Sequence, residues 1–153
     1  MELKTKIHAV EGRHDITVTR EFDLPVALLF KAYVEAELLE EWMGTKVIKL
    51  DAKPHGSYQF ITTDPMGNEH HFNGVIHHCE TNKAMTRTFE MPGTGFPVQL
   101  EFFTFEEDGK DKSKLTMHMI FKSVADRDRL LKLPFAQGIN MAHTRLEKIL
   151  KNQ

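Results

Sequence analysis

Between Lys46 and Phe121 the chain reads as short extended segments parted by turn residues, and this pattern restricts the fold more than any other. The segments are TKVIKLDA, SYQFITT, HHFNGVIHHCE, MTRTFEM, VQLEFFTFEE and KLTMHMIF. Between them stand KPHG, DPMGN, ETNK, MPGTG and EDGKDK, where Gly, Pro, Asn and Asp satisfy the backbone angles of a reversal. Connections this short exclude parallel crossovers, which need about a dozen residues or more. The middle of the chain is therefore an antiparallel meander.

The flanks complete an α+β pattern. ITVTREF (residues 16–22) alternates Ile16, Val18 and Phe22 with polar residues, the period of a half-buried strand, and KTKIHAV before it reads as a further strand. After Asp23 the period changes. Pro25 suits a first helical turn, and Val26, Leu29, Phe30, Tyr33 and Val34 recur at helical spacing. Leu38, Leu39 and Trp42 extend the pattern into a second short helix, with Gly44 as its C-terminal cap. Ser123 and Asp126 mark a later helix start, and Pro134 opens a long last helix carrying Phe135, Ile139, Ala142, Leu146, Ile149 and Leu150 as an apolar stripe. With no repeat, linker or low-complexity run, residues 1–153 are expected to form a single domain with helices on one face of an antiparallel sheet.

Composition narrows the partners. Lys and Arg number 20 against 22 Asp and Glu, so no basic excess exists to hold nucleic acid or an anionic membrane. One cysteine forms no internal disulfide, MELKTK lacks the apolar core of an export signal, and no apolar run reaches the roughly 20 residues of a bilayer span. A soluble, cytoplasmic protein is the expectation.

HHFNGVIHHCE holds four of the nine histidines and Cys79. On a strand His70 and His78 share a face with Phe72 and Ile76, while His71, His77 and Cys79 share the other. Only His77 and Cys79 are then close enough to bind one ion, with His118 as a partner from another strand. No zinc spacing is present, so neither metal nor cofactor is expected. Cys79 lacks the helix N-terminus that activates a nucleophilic thiol. Arg87, Glu101 and His118 are the polar residues able to face an interior, although alternation alone leaves their faces undecided.

Several stretches carry a resemblance to a known family. ITVTREFDLPVALLFKAYVEAELLEEWMG is similar to the opening motif of the family named for activators of the heat-shock-protein-90 ATPase, within the START-like (SRPBCC) superfamily. The matching positions are Phe22, Asp23 and Pro25 at the strand-to-helix turn, then Trp42 and Gly44. KPHGSYQF resembles the family's next strand start at Pro54, Gly56, Tyr58 and Phe60, and Gly74 and Thr88 fall on the strands that follow. The family's paired tryptophan is Trp42-Met43 here, and its Asp-Pro between the short helices is Glu35-Ala36.

The resemblance implies a helix-grip fold: a curved antiparallel sheet of about six or seven strands around the C-terminal helix, enclosing a pocket for a small hydrophobic or amphipathic molecule. The expected lining is Trp42, Phe60, Phe89, Phe103, Met117, Met119, Phe135 and Met141, residues that a solid core would equally employ. A non-catalytic ligand-binding domain is the leading reading, and the family name adds a link to the stress response. A co-chaperone-like interaction module and a cyclase or aromatase type of enzyme are the alternatives. A chaperone partner is disfavoured because the relatives with that role carry an additional N-terminal domain. A homodimer is left open.

Overall fold

The computed structural model describes residues 3–152. Its eight strands form one curved antiparallel sheet: β1 (Lys6–His8), β2 (Asp15–Phe22), β3 (Lys46–Leu50), β4 (Ser57–Thr63), β5 (Glu69–Glu80), β6 (Ala84–Phe89), β7 (Gln99–Glu107) and β8 (Ser113–Ile120). Their order is β1-β2-β8-β7-β6-β5-β4-β3. The sequence-based count fell short at six or seven. KTKIHAV does contribute the edge strand β1, which is only 3 residues long.

The meander from β3 to β8 follows chain order, as its short turns require. The one long step joins β2 to β3, which lie near opposite ends of the sheet. It is spanned by helices α1 (Val26–Val34) and α2 (Ala36–Met43). Gly44 ends α2 in the left-handed conformation at φ 63° and donates its N–H to the Glu40 carbonyl. Ser123 caps α3 (Val124–Leu131) by accepting from the Asp126 N–H. The closing helix α4 covers Phe135–Lys151.

Inner-face residues alternate along each strand. Ile16, Val18, Arg20 and Phe22 on β2 pair in register with Met119, Met117, Leu115 and Ser113 on β8, and all eight are buried. The half of the sheet beneath α1 is packed solid with aromatic rings: Tyr33 meets Phe103 and Phe105 at centroid distances of 5.4 and 5.7 Å, and Phe30 meets Phe105 at 5.1 Å. Helix α4 has its main backbone neighbours in α2, α1 and α3 rather than in the strands. It is propped above the sheet, and this places the site.

Among the described residues no helix is long and apolar enough to cross a membrane.

Candidate functional site

The space under α4 is an apolar recess of about 280 Å³. The sheet contributes Phe89 from β6 and Met117 and Met119 from β8. Trp42 closes the α2 side, and Phe135, Ile139 and Ala142 form the helical roof. Trp42 is fixed by its indole N–H, which donates to the Ala32 carbonyl at 2.8 Å, and by edge contact with Tyr33 at 5.2 Å.

Polar groups enter this apolar space at two places. On the sheet side, Arg87 and Glu101 sit opposite each other on β6 and β7, both buried. Arg87 donates from Nε to Glu101 Oε1 at 2.9 Å, while Gln99 Nε2 donates to Glu101 Oε2 at 2.8 Å. The guanidinium lies 4.9 Å from the Tyr58 ring centroid and 4.8 Å from that of Phe103, so aromatic faces replace part of its lost hydration. Burial opposes the Arg87 charge, but Tyr58 and Glu101 outweigh it and hold the pKa above the ordinary value. Burial also raises the pKa of the Tyr33 phenol well above the usual range, so this hydroxyl stays protonated.

On the helix side stands His143, whose Nδ1 is 2.9 Å from Thr5 Oγ1. Thr5 Oγ1 accepts from Arg20 Nη1 at 3.2 Å, and Asn140 Oδ1 accepts from both Arg20 and the Thr5 N–H. This chain ties the start of the protein and β2 to α4. Desolvation, assisted by the Arg20 charge, lowers the His143 pKa to about 3, so the ring is neutral near pH 7.

The family profile described as Activator of Hsp90 ATPase homolog 1-like protein matches residues 23–151. The chain belongs to this family. No curated protein sequence matches it. Solved structures of low sequence identity share its fold. A Mycobacterium smegmatis protein superimposes with TM-score 0.85 at 20% identity, covering 95% of this chain and 96% of that one. An Arthrobacter aurescens protein gives 0.87 at 13% identity, with 97% and 92% covered. A Nitrosomonas europaea protein gives 0.80 at 21% identity, with 94% and 97% covered. These likenesses establish the helix-grip fold.

Of the eight residues expected to line a pocket, Trp42, Phe89, Met117, Met119 and Phe135 lie on the recess. Three do not. Phe60 and Phe103 face inward but are consumed by packing: Phe60 lies against Tyr58 at 5.0 Å, and Phe103 under Tyr33. Met141 is 63% exposed, because the buried side of α4 runs through His143, Leu146 and Leu150.

Sequence reasoning overlooked Tyr33, Gln99 and His143 as lining residues. The signal for His143 was available, since it falls four residues after Ile139 and three before Leu146. A polar residue in the stripe was passed over. Alternation on β6, β7 and β8 places Arg87 and Glu101 inside and His118 outside, where His118 Nε2 meets Asp15 Oδ2 at 2.8 Å. Asp15 is held well below the usual carboxylate range by its hydrogen bonds to Arg13 and His118.

The parity expected of β5 is broken by a bulge. Ile76 pairs with Arg87, yet His78 pairs with Thr86, which leaves His77 as the extra residue. Cys79 then sits opposite the buried Met85, on the core side with Ile76, and His77 and His78 are both exposed. His77 and Cys79 thus do not share a face, and burial raises the Cys79 thiol pKa. Among the described residues no three His, Cys, Asp or Glu side chains converge as a metal site.

A second depression, of about 770 Å³, runs beside β1 and β2. It is larger but open and highly charged, with four lysines and Arg20 set among four carboxylates. Charges this close to balance define no ligand sign, and the smaller apolar recess is the better-formed site.

Proposed function

We propose that the chain works as one START-like domain that holds a small, mainly apolar molecule in the recess between α4 and the sheet. The supporting observation is the contrast between the two halves of the inner face. Beneath α1, aromatic rings fill the space, whereas beneath α4 about 280 Å³ is left among Met117, Met119, Phe135, Ile139 and Ala142. That volume is near the lower end of ligand pockets, roughly 300 to 1,000 Å³, and suits a molecule of one or two rings. Unbranched methionine side chains adapt to varied shapes, which favours tolerance among apolar ligands. His143 is engaged with Thr5, and Glu101 with Arg87 and Gln99, which suits holding a molecule better than turning it over.

Isothermal titration with a small panel of neutral bicyclic compounds tests this reading. Binding should occur with a negative heat-capacity change, the mark of apolar burial. Ala142→Phe, which fills the roof of the recess, should abolish it while the melting temperature holds. Absence of binding across the panel, or binding indifferent to the filled recess, would overturn the proposal.

A further inference from the structure

Arg87 satisfies only part of its hydrogen-bonding capacity. A guanidinium carries five N–H donors, and in Arg87 only Nε finds an acceptor among the described residues, Glu101 Oε1. The two terminal nitrogens donate to none of them, although the side chain is buried and borders the recess. Tyr33 is in the same position: the residue is buried and lines the recess, and its hydroxyl has no hydrogen-bond partner among the described residues. Neither group is among the sealed polar atoms without partners, which are Arg20 Nε and Asn73 Oδ1, so both open onto free space. Buried donors without acceptors are costly, and the recess is where an acceptor would have to stand.

We infer that Arg87 and Tyr33 form a polar end to the recess that receives an uncharged oxygen acceptor, such as a ketone or ester carbonyl, on an otherwise apolar ligand. This deepens the proposed function and rests on it. Charge accounting selects the neutral class. Glu101 already balances Arg87 at 2.9 Å, and Gln99 occupies the other carboxylate oxygen. A ligand carboxylate would add a second buried negative charge with no cation left to pair it, whereas a carbonyl accepts from the spare N–H and O–H donors without a charge imbalance. The remainder of the molecule lies against Met117, Met119 and Phe135.

Three compounds with one carbon skeleton test the inference by calorimetric titration: tetralin, which has no polar atom, tetralone, which adds a carbonyl, and tetralin carboxylate. Tetralone should bind about tenfold more tightly than tetralin, the value of a hydrogen bond from a charged donor. It should also bind about tenfold more tightly than the carboxylate. In Tyr33→Phe, and in the double variant Arg87→Met with Glu101→Met, the ratio of tetralone to tetralin affinity should fall toward one. Equal binding of tetralin and tetralone by the wild-type chain would overturn the polar end while leaving the apolar recess standing. Tightest binding by the carboxylate would overturn its neutral selectivity, and failure of all three would remove the recess reading together with this inference.

Discussion

The Tyr58 hydroxyl donates to the Thr88 carbonyl at 2.6 Å, and the bond passes beside Gly74 on the intervening strand β5. A Cβ on Gly74 would stand 2.0 Å from the Thr88 oxygen and 2.5 Å from the Tyr58 oxygen. Gly74→Ala is therefore expected to push β5 off β6 and to destabilise by about 1 to 3 kcal/mol or more, the range of an overpacked core. Gly138 gives the opposite sign. It lies exposed in α4 with no atom within 4 Å of its added Cβ, so Gly138→Ala should stabilise by about 0.5 to 1 kcal/mol through helix propensity. Urea melts of the two variants decide the matter, and a stable Gly74→Ala would contradict the account of this contact.

The Arg87–Glu101 pair should show strong coupling. Arg87→Met alone leaves a buried carboxylate without its cation and should cost about 3 to 5 kcal/mol. Replacing both residues by methionine should cost much less, since the pair and its desolvation penalty disappear together. A double variant as unstable as the single one would show that Arg87 acts through shape alone. The measurement is a double-mutant cycle in urea.

Much of the fold is legible in the chain because it depends on local rules. Turn chemistry in KPHG or EDGKDK fixes antiparallel neighbours, and alternation in SKLTMHMI fixes the inner residues of β8. What escaped depends on tertiary context. The bulge at His77 follows from the pairing of β5 with β6 and reverses the face of Cys79. The phase of α4, which exposes Met141 and buries His143, is set by Thr5 and Arg20, which arrive from distant parts of the chain to meet His143 and Asn140 on the helix. The sequence places Phe60 and Phe103 on strands expected to face the interior, but periodicity does not tell a filled half of a sheet from an open one.

Stability should depend on pH through His143. Its folded pKa of about 3 lies below the model-peptide value of 6.5 because desolvation disfavours the charged ring. The unfolded chain therefore binds the extra proton first. The contribution is fully present above about pH 6.5 and is lost as pH falls from there toward 3. By pH 5 the loss relative to pH 8 amounts to about 2 kcal/mol. His143→Gln should flatten this segment of a stability profile taken by urea melts between pH 5 and 8. An equally steep profile in the variant would assign the dependence to other groups.

Two substitutions on α4 separate packing from surface. Leu146 is fully buried, so Leu146→Ala should cost about 2 to 5 kcal/mol. Met141→Ala, at an exposed position away from the recess, should change stability by less than about 0.5 kcal/mol and leave the tetralone affinity unaltered. A large loss of binding in the second variant would show that the helix sits in a different phase.

Trp42 tests the central claim most directly, because it is the chain's one tryptophan and forms a wall of the recess. Its indole N–H gives a single resolved signal in an amide-type nitrogen–proton correlation spectrum. Titration with tetralone should shift that signal progressively to saturation, and Ala142→Phe should abolish the response. An indole signal that stays fixed while resonances along β1 and β2 move would place binding in the charged depression and contradict the account.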